Sequence, residues 1–140
     1  MRYRKIKKYK YQLMTTASYD LGYEFGDCVH SFISIKGRNI KIKKGYCWDG
    51  ASGPAIDTKS FMIGSLVHDC LYQLIRIGLI ENQYRLLADE VLYELCLKSG
   101  MNKVRALWVK WAVNTFGGVW INKGKIEPKI ETVWFEKGQK

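Results

Sequence analysis

The pattern of apolar and polar residues changes character near the middle of the chain. Before residue 57, apolar residues either form short runs rich in aromatic and β-branched types or alternate with polar residues, as in strands. The segments concerned are residues 9–16, 29–36 and 39–44. Gly37-Arg38-Asn39 separates the last two and is typical of a hairpin turn, because Gly and Asn tolerate positive φ. We therefore expect a small N-terminal antiparallel β-sheet.

After residue 59 the apolar residues recur with the period of a helix. In residues 60–79 one face is apolar, with Ile63, Leu66, Val67, Leu71 and Leu74. The opposite face carries Ser65, Asp69, Gln73 and Arg76, which predicts a helix with one solvated side.

Two further helices are predicted, over residues 82–99 and 102–116. Gly100 ends the first, whereas Asn102 is the expected N-cap of the second and Gly117-Gly118 its expected end. The predicted fold class is α+β: an N-terminal antiparallel sheet, covered by a three-helix C-terminal half, with a short final strand at residues 130–135. The expected domain organisation is a single domain, 1–140, which is β-rich over 1–57 and helical over 58–118, with a C-terminal extension over 119–140.

The positive charge is concentrated in the N-terminal third. The chain has a net charge of +10, and residues 1–44 alone hold 11 Lys and Arg against three acidic residues, a net +8. Such a surface favours an anionic partner: nucleic acid, a nucleotide, a lipid headgroup or an acidic protein. The alternative is that the lysines of residues 5–10 are solvated and protect exposed strand edges. The sequence leaves both interpretations open.

Hydropathy and cysteine usage bear on the compartment. No window approaches the roughly 18 apolar residues of a membrane span, and residues 1–8 lack the apolar core of a secretion signal. We therefore expect a cytoplasmic protein. The four cysteines, at positions 28, 47, 70 and 96, are irregularly spaced, which favours reduced thiols over disulfides.

The segment Gly45-Tyr-Cys-Trp-Asp-Gly-Ala-Ser-Gly-Pro54 predicts a tight loop between sheet and helix. Small residues leave backbone amides and carbonyls accessible to an ion or ligand. The candidate ligand-binding residues are Trp48, Asp49, Gly50 and Ser52. The alternative is a plain turn in which Trp48 fills the core and Asp49 satisfies a nearby amide.

His68 and Tyr72 are four residues apart in the first predicted helix, so they are neighbours at the edge of its apolar face. A histidine there suits proton transfer near neutral pH, with Tyr72 beside it. Asp69 projects about 100° away and is a candidate metal ligand if loop carbonyls reach it. A hydrogen-bonded structural histidine and a solvated aspartate are the alternative.

Asp89 is the third candidate, because it projects from a mostly apolar side of its helix and therefore needs a partner. Arg85, one turn earlier, is one such partner. The other is His68, whose ring Asp89 would orient as the third group of a hydrolytic site orients a base. We expect His68 and Asp89 to be in contact.

Four blocks of sequence together resemble domain of unknown function 1353, a family of small phage and prophage proteins. They are Gly-Tyr-Cys-Trp-Asp-Gly-Ala-Ser-Gly-Pro at 45–54, Leu-Val-His-Asp-Cys-Leu-Tyr at 66–72, Ala-Asp-Glu-Val-Leu-Tyr at 88–93, and Asn-Thr-Phe-Gly at 114–117. The resemblance spans about residues 10–118. It implies a phage or prophage origin, with a location in the host cytoplasm or the virion, and it implies no activity.

A local resemblance concerns secreted calcium-dependent phospholipases, which also place a Gly-rich loop before a helix with His-Asp-x-x-Tyr. It implies that His68 activates water and that Asp89 orients His68. It further implies that Asp69 and the carbonyls around Trp48, Gly50 and Ser52 bind calcium or another divalent cation. Those enzymes are largely helical and rich in disulfides, so the resemblance concerns the site alone.

Two functions follow from these features. The first is a phage-encoded accessory protein whose basic surface binds an anionic ligand, nucleic acid or a virion or host protein. The second is a metal-assisted hydrolase of an ester or phosphoester with His68 as general base. The oligomeric state is not indicated by the sequence.

Overall fold

The computed structural model describes residues 1–5, 11–48 and 59–124. These residues fall into two compact units, with residues 1–5 and 11–48 in the first and residues 59–124 in the second. The first unit contains the described strands, and the second contains the described helices. The predicted order, antiparallel strands followed by three helices, is confirmed.

The strands form two antiparallel sheets rather than the single sheet expected from the sequence. In chain order they are β1 (Tyr3–Lys5), β2 (Tyr11–Leu13), β3 (Ala17–Asp20), β4 (Cys28–His30), β5 (Ile33–Lys36), β6 (Asn39–Ile42) and β7 (Cys47–Trp48). The three-stranded sheet has the order β1-β2-β7, and the four-stranded sheet has the order β3-β6-β5-β4.

The β5–β6 hairpin confirms the alternating pattern from which it was predicted. Ile35 pairs with Ile40, Ile33 pairs with Ile42, and all four side chains are buried on one face. Gly37 makes the turn with a φ of +64°, a conformation that side chains disfavour. The period-two rule therefore places the apolar face of this sheet correctly.

The prediction of one strand over residues 29–36 is wrong, because the chain reverses at Ser31. This residue has a φ of +47°, and His30 pairs with Ile33 directly across the turn. The run of β-branched and aromatic residues hides the turn, since a single serine is a weak turn signal.

The second unit consists of α1 (Lys59–Arg76), α2 (Arg85–Lys98) and α3 (Lys103–Gly124), with a short 3₁₀ turn at Asn82–Tyr84. The predicted N-cap of α3 is confirmed, because the backbone N–H of Arg105 donates to Asn102 Oδ1 at 2.8 Å. The predicted end of α3 at Gly117-Gly118 is wrong, since the helix continues to Gly124. Gly117 is used for close packing, as described below.

The prediction that α1 has one solvated side is also wrong. Ser65 and Gln73 are 2% and 4% exposed, and thirteen of the eighteen residues of α1 are buried. α1 packs against both α2 and α3, so apolar periodicity alone underestimates how much of it is covered. The Ser65 hydroxyl donates to the carbonyl of Met62 at 3.0 Å, which satisfies it within the helix.

Among the described residues, no helix has the length and apolar content needed to cross a membrane. The expected final strand at residues 130–135 lies outside the described residues.

Candidate functional site

A buried polar cluster joins the three helices of the second unit. Each helix contributes residues one turn apart, which lie on the same face. α1 supplies His68 and Tyr72, α2 supplies Arg85 and Asp89, and the backbone of α3 closes the cluster. We call His68, Tyr72, Arg85 and Asp89 the Asp89 cluster.

Asp89 is the centre of the cluster and is completely buried, with 0% of its surface exposed. Its Oδ1 accepts a hydrogen bond from the Tyr72 hydroxyl at 2.5 Å and lies 2.6 Å from Nε2 of His68. Its Oδ2 lies 3.8 Å from Nη1 of Arg85, an ion pair too long to be a hydrogen bond. The predicted contact of Asp89 with His68 is therefore confirmed, and so is the alternative partner, Arg85.

The hydrogen-bonding chemistry of the carboxylate assigns the tautomer of His68. An ionised carboxylate only accepts hydrogen bonds, so a neutral His68 bonded to Asp89 carries its proton on Nε2. Nδ1 then holds the lone pair and is the atom able to accept a proton. The ring of His68 also stacks obliquely against Tyr72, with centroids 4.1 Å apart, which fixes its plane.

Tyr72 is a permanent donor in this cluster. Burial raises the pKa of its hydroxyl well above the usual range, and the negative charge of Asp89 and the hydrogen bond to it raise it further. Arg85 lowers the pKa of Tyr72 by a smaller amount. The hydroxyl therefore keeps its proton at every pH at which the protein is expected to work, and it holds Asp89 in place.

Gly117 provides the space that the cluster needs on the α3 side. A Cβ at this position would overlap the Tyr72 hydroxyl and would lie 3.1 Å from Nη1 of Arg85. The same nitrogen donates to the carbonyl of Asn114 at 3.2 Å. Sequence reasoning missed this role of α3, although Asn114 and Gly117 are the ends of the Asn-Thr-Phe-Gly block.

Trp48 lies in the core of the first unit. Its ring is 2% exposed, and its centroid is 5.5 Å from that of Tyr11 and 6.0 Å from that of Tyr3. This packing agrees with the interpretation in which Trp48 fills the core. Asp49, Gly50 and Ser52 lie outside the described residues, so their predicted role in ligand binding stays a prediction.

Asp69 is half-buried and follows His68 directly, so it projects from a different side of α1. Within residues 1–5, 11–48 and 59–124, no three His, Cys, Asp or Glu side chains are grouped so that they could hold a metal ion. Calcium binding through Asp69 and the preceding loop stays a prediction, since that loop is outside those ranges.

None of the four cysteines is in a disulfide, and three of them are buried. Burial raises the pKa of the Cys96 thiol to about 12, with a smaller opposing effect from Arg105. Because only the thiolate is nucleophilic, Cys96 is suited to packing against α1 rather than to covalent chemistry.

Comparisons of the chain with models of protein families, with curated proteins and with solved structures find no match. The resemblance to domain of unknown function 1353 therefore stays a prediction, and the function must be argued from the Asp89 cluster itself.

Proposed function

We propose that the protein is a hydrolase of an ester or phosphoester in which His68 is the general base. The observation that supports this most strongly is the 2.6 Å separation between His68 Nε2 and the fully buried Asp89 Oδ1. This is the distance expected of a base held by an orienting carboxylate.

The proposed reaction uses Nδ1 of His68 to remove a proton from a water molecule. The oxygen of that water forms the new bond to the ester carbon or phosphorus, and the bond to the leaving oxygen breaks. The proton then passes from Nδ1 to the leaving oxygen. Asp89 stabilises the imidazolium that exists between these steps, and Tyr72 positions Asp89.

The cost of burying Asp89 supports a functional role. Apolar residues can often replace a buried ionic group with no loss of stability. Stability alone therefore does not explain why a carboxylate with three partners is buried here. The same geometry is what a base requires: a fixed ring plane, a fixed tautomer and a stabilised cation. His68 is buried as well, with 7% of its surface exposed.

Calcium enters the proposal only through the resemblance, with Asp69 as the implied protein ligand. A cation there would stabilise the negative charge that develops on the substrate oxygen. Measuring the rate with added calcium and with a chelator tests this part separately from the role of His68.

The two histidines of the chain provide a matched test. His30 is half-buried in β4, in the first unit, and burial lowers its pKa. Hydrolysis of p-nitrophenyl butyrate and of bis(p-nitrophenyl) phosphate is measured for the wild type, His68→Ala and His30→Ala. We expect His68→Ala to lower kcat by about 10²- to 10⁴-fold and His30→Ala to leave it unchanged. Absence of hydrolysis by the wild type, or full activity of folded His68→Ala, would contradict the proposal.

A second candidate function is the binding of an anionic ligand by the exposed face of the four-stranded sheet. Lys41 is exposed at the centre of that face, and its cross-strand neighbours are Ser18 and Ser34. Small neighbours leave the ammonium group accessible to phosphate. If the predicted phage origin holds, this ligand would be nucleic acid or an acidic surface in the host cytoplasm or the virion.

Salt dependence tests this second function. Affinity for single- or double-stranded DNA should fall steeply with salt, and Lys41→Glu should weaken binding and reduce the slope of log affinity against log salt by about one. Lys98→Glu, in α2 of the other unit, is the matched charge control. Binding that does not depend on salt, or equal effects of the two variants, would refute it.

A further inference from the structure

α3 has a second apolar face in addition to the one that it buries. Its buried face contains Ala106, Val109 and Ala112. On the opposite side lie Val104, Leu107, Trp108 and Trp111, with 79%, 47%, 42% and 57% of their surfaces exposed. These four positions follow the spacing i, i+3, i+4, i+7, so they form one continuous stripe along the helix. We call them the α3 stripe.

The α3 stripe is a concentration of exposed apolar surface. The described residues include ten large exposed hydrophobic side chains, and five of them are on α3: the stripe and Phe116. The rings of Trp111 and Phe116 are in edge contact, with centroids 6.4 Å apart. Single exposed apolar residues need no explanation, but a continuous apolar patch marks an interaction surface.

The charges around the α3 stripe are positive. The sequence of α3 contains Lys103, Arg105, Lys110 and Lys123 and no acidic residue. Lys110 forms a 2.5 Å ion pair with Glu90 of α2, so its charge is compensated. At the start of the helix, Lys103, Arg105 and Trp108 line an open depression of about 560 Å³, together with Asn102 and Val104.

This charge pattern favours an anionic lipid surface over a second copy of the chain as the partner of the α3 stripe. A second copy of the chain, related by a two-fold axis, would bring two α3 helices together with basic residues on both and no acidic residue on either. An anionic lipid surface matches both properties. Indole rings favour the boundary between headgroups and acyl chains, and lysine and arginine favour the phosphates beside it.

We propose that α3 lies on the surface of an anionic bilayer, with the α3 stripe in the boundary region and the exposed Lys103, beside the depression, against a headgroup phosphate. This interaction is independent of the hydrolase proposal, because it requires neither His68 nor Asp89.

The test uses the full chain and vesicles of two compositions. One contains phosphatidylcholine mixed with phosphatidylglycerol, and the other contains phosphatidylcholine alone. We expect the wild type to sediment with the mixed vesicles and only weakly with the neutral ones. The double variant Trp108→Ser/Trp111→Ser should lower the partition coefficient by about tenfold or more, because it removes the two largest apolar groups of the stripe. Lys103→Glu should lower it on mixed vesicles only.

The matched control is Val29→Ser/Leu86→Ser, which removes two exposed apolar residues outside α3 and should leave the partition coefficient unchanged. Quenching of wild-type tryptophan fluorescence by brominated lipids should accompany binding, and this measurement needs no variant to fold. Absence of binding to mixed vesicles, or equal binding by the tryptophan double variant, would overturn the proposal. A wild-type dimer that this double variant converts to monomer would assign the stripe to a second copy of the chain and would also overturn it.

Discussion

The two units differ in what they bury. Among the described residues of the sheet unit, every buried side chain is aliphatic, aromatic or a cysteine. The helical unit also buries Ser65, His68, Gln73 and Asp89. Burying polar groups costs free energy unless each finds a partner, so the helical unit carries groups that packing alone does not require. Among the described residues, the buried polar side chains are therefore confined to the helical unit.

Ion pairs show the same contrast. In the sheet unit Arg38 makes two 2.9 Å hydrogen bonds to Asp20, and both side chains are 53% exposed. In the helical unit Asp89 is completely buried. Water competes for the hydrogen bonds between Arg38 and Asp20, whereas it is excluded from the carboxylate of Asp89. Loss of the buried carboxylate should therefore change the free energy of unfolding far more than loss of the exposed one.

The largest effect is expected from Asp89→Ala. This substitution leaves His68, Tyr72 and Arg85 without their common partner. We expect the free energy of unfolding, measured by urea denaturation, to fall by about 3–5 kcal/mol. Asp20→Ala is the matched control and should leave the urea midpoint almost unchanged. Equal shifts in the two variants would remove the contrast between the units.

Gly117→Ala should have the next largest effect on the free energy of unfolding. This variant also distinguishes damage to the Asp89 cluster from a general disturbance of helix packing. The added Cβ displaces the Tyr72 hydroxyl, which should cost about 1–3 kcal/mol and lower hydrolysis further than the loss of stability explains. Gly64→Ala is the control, because its Cβ would meet Leu92 and Cys96, outside the Asp89 cluster. A loss of activity in folded Gly64→Ala as large as that in Gly117→Ala would contradict this separation.

Tyr72→Phe should destabilise the protein about as much as Gly117→Ala does, and its effect depends on pH. Removing a hydrogen bond to a buried carboxylate should cost about 1.5–3 kcal/mol at neutral pH. Because the folded protein raises the pKa of Tyr72, its contribution is complete below its ordinary pKa of about 10 and is lost as the pH rises further. The difference in Tm between the wild type and Tyr72→Phe should therefore shrink above that pH.

The control for this pH dependence is Tyr3→Phe, which alters a partly exposed tyrosine of the sheet unit. Its Tm difference from the wild type should be small, because this side chain is 38% exposed. A difference for Tyr72→Phe that grows on the alkaline side would show that Tyr72 is not the protonated donor described here.

The parts of the molecule that sequence predicted are those governed by local spacing. The hairpin at Gly37 and the cap at Asn102 depend on a few adjacent residues, and both are present. The contact between His68 and Asp89 followed from a charged residue on an apolar helix face, which needs a partner from another element. The hairpin and the cap have causes that act within a few residues, whereas the need of Asp89 for a partner is visible in its own helix and the partner lies on another one.

The parts that sequence did not predict depend on tertiary packing. The sequence pattern places Gln73 on the solvated side of α1, yet this side chain is buried because that side of the helix is covered as well. Glycine commonly ends a helix, yet Gly117 lies inside α3. A side chain at this position would overlap the Tyr72 hydroxyl. A glycine in a helix costs only about 1 kcal/mol, so packing outweighs its local preference.

The most direct test of the central claim is the tautomer of His68, measured by the ¹⁵N chemical shifts of its ring in His30→Ala, where one histidine remains. In the neutral form we expect the proton on Nε2, bonded to Asp89, with Nδ1 unprotonated and able to act as the base. Asp89→Asn in the same background should change this distribution. A proton found on Nδ1 would contradict the account, because that nitrogen could not then accept a proton from water.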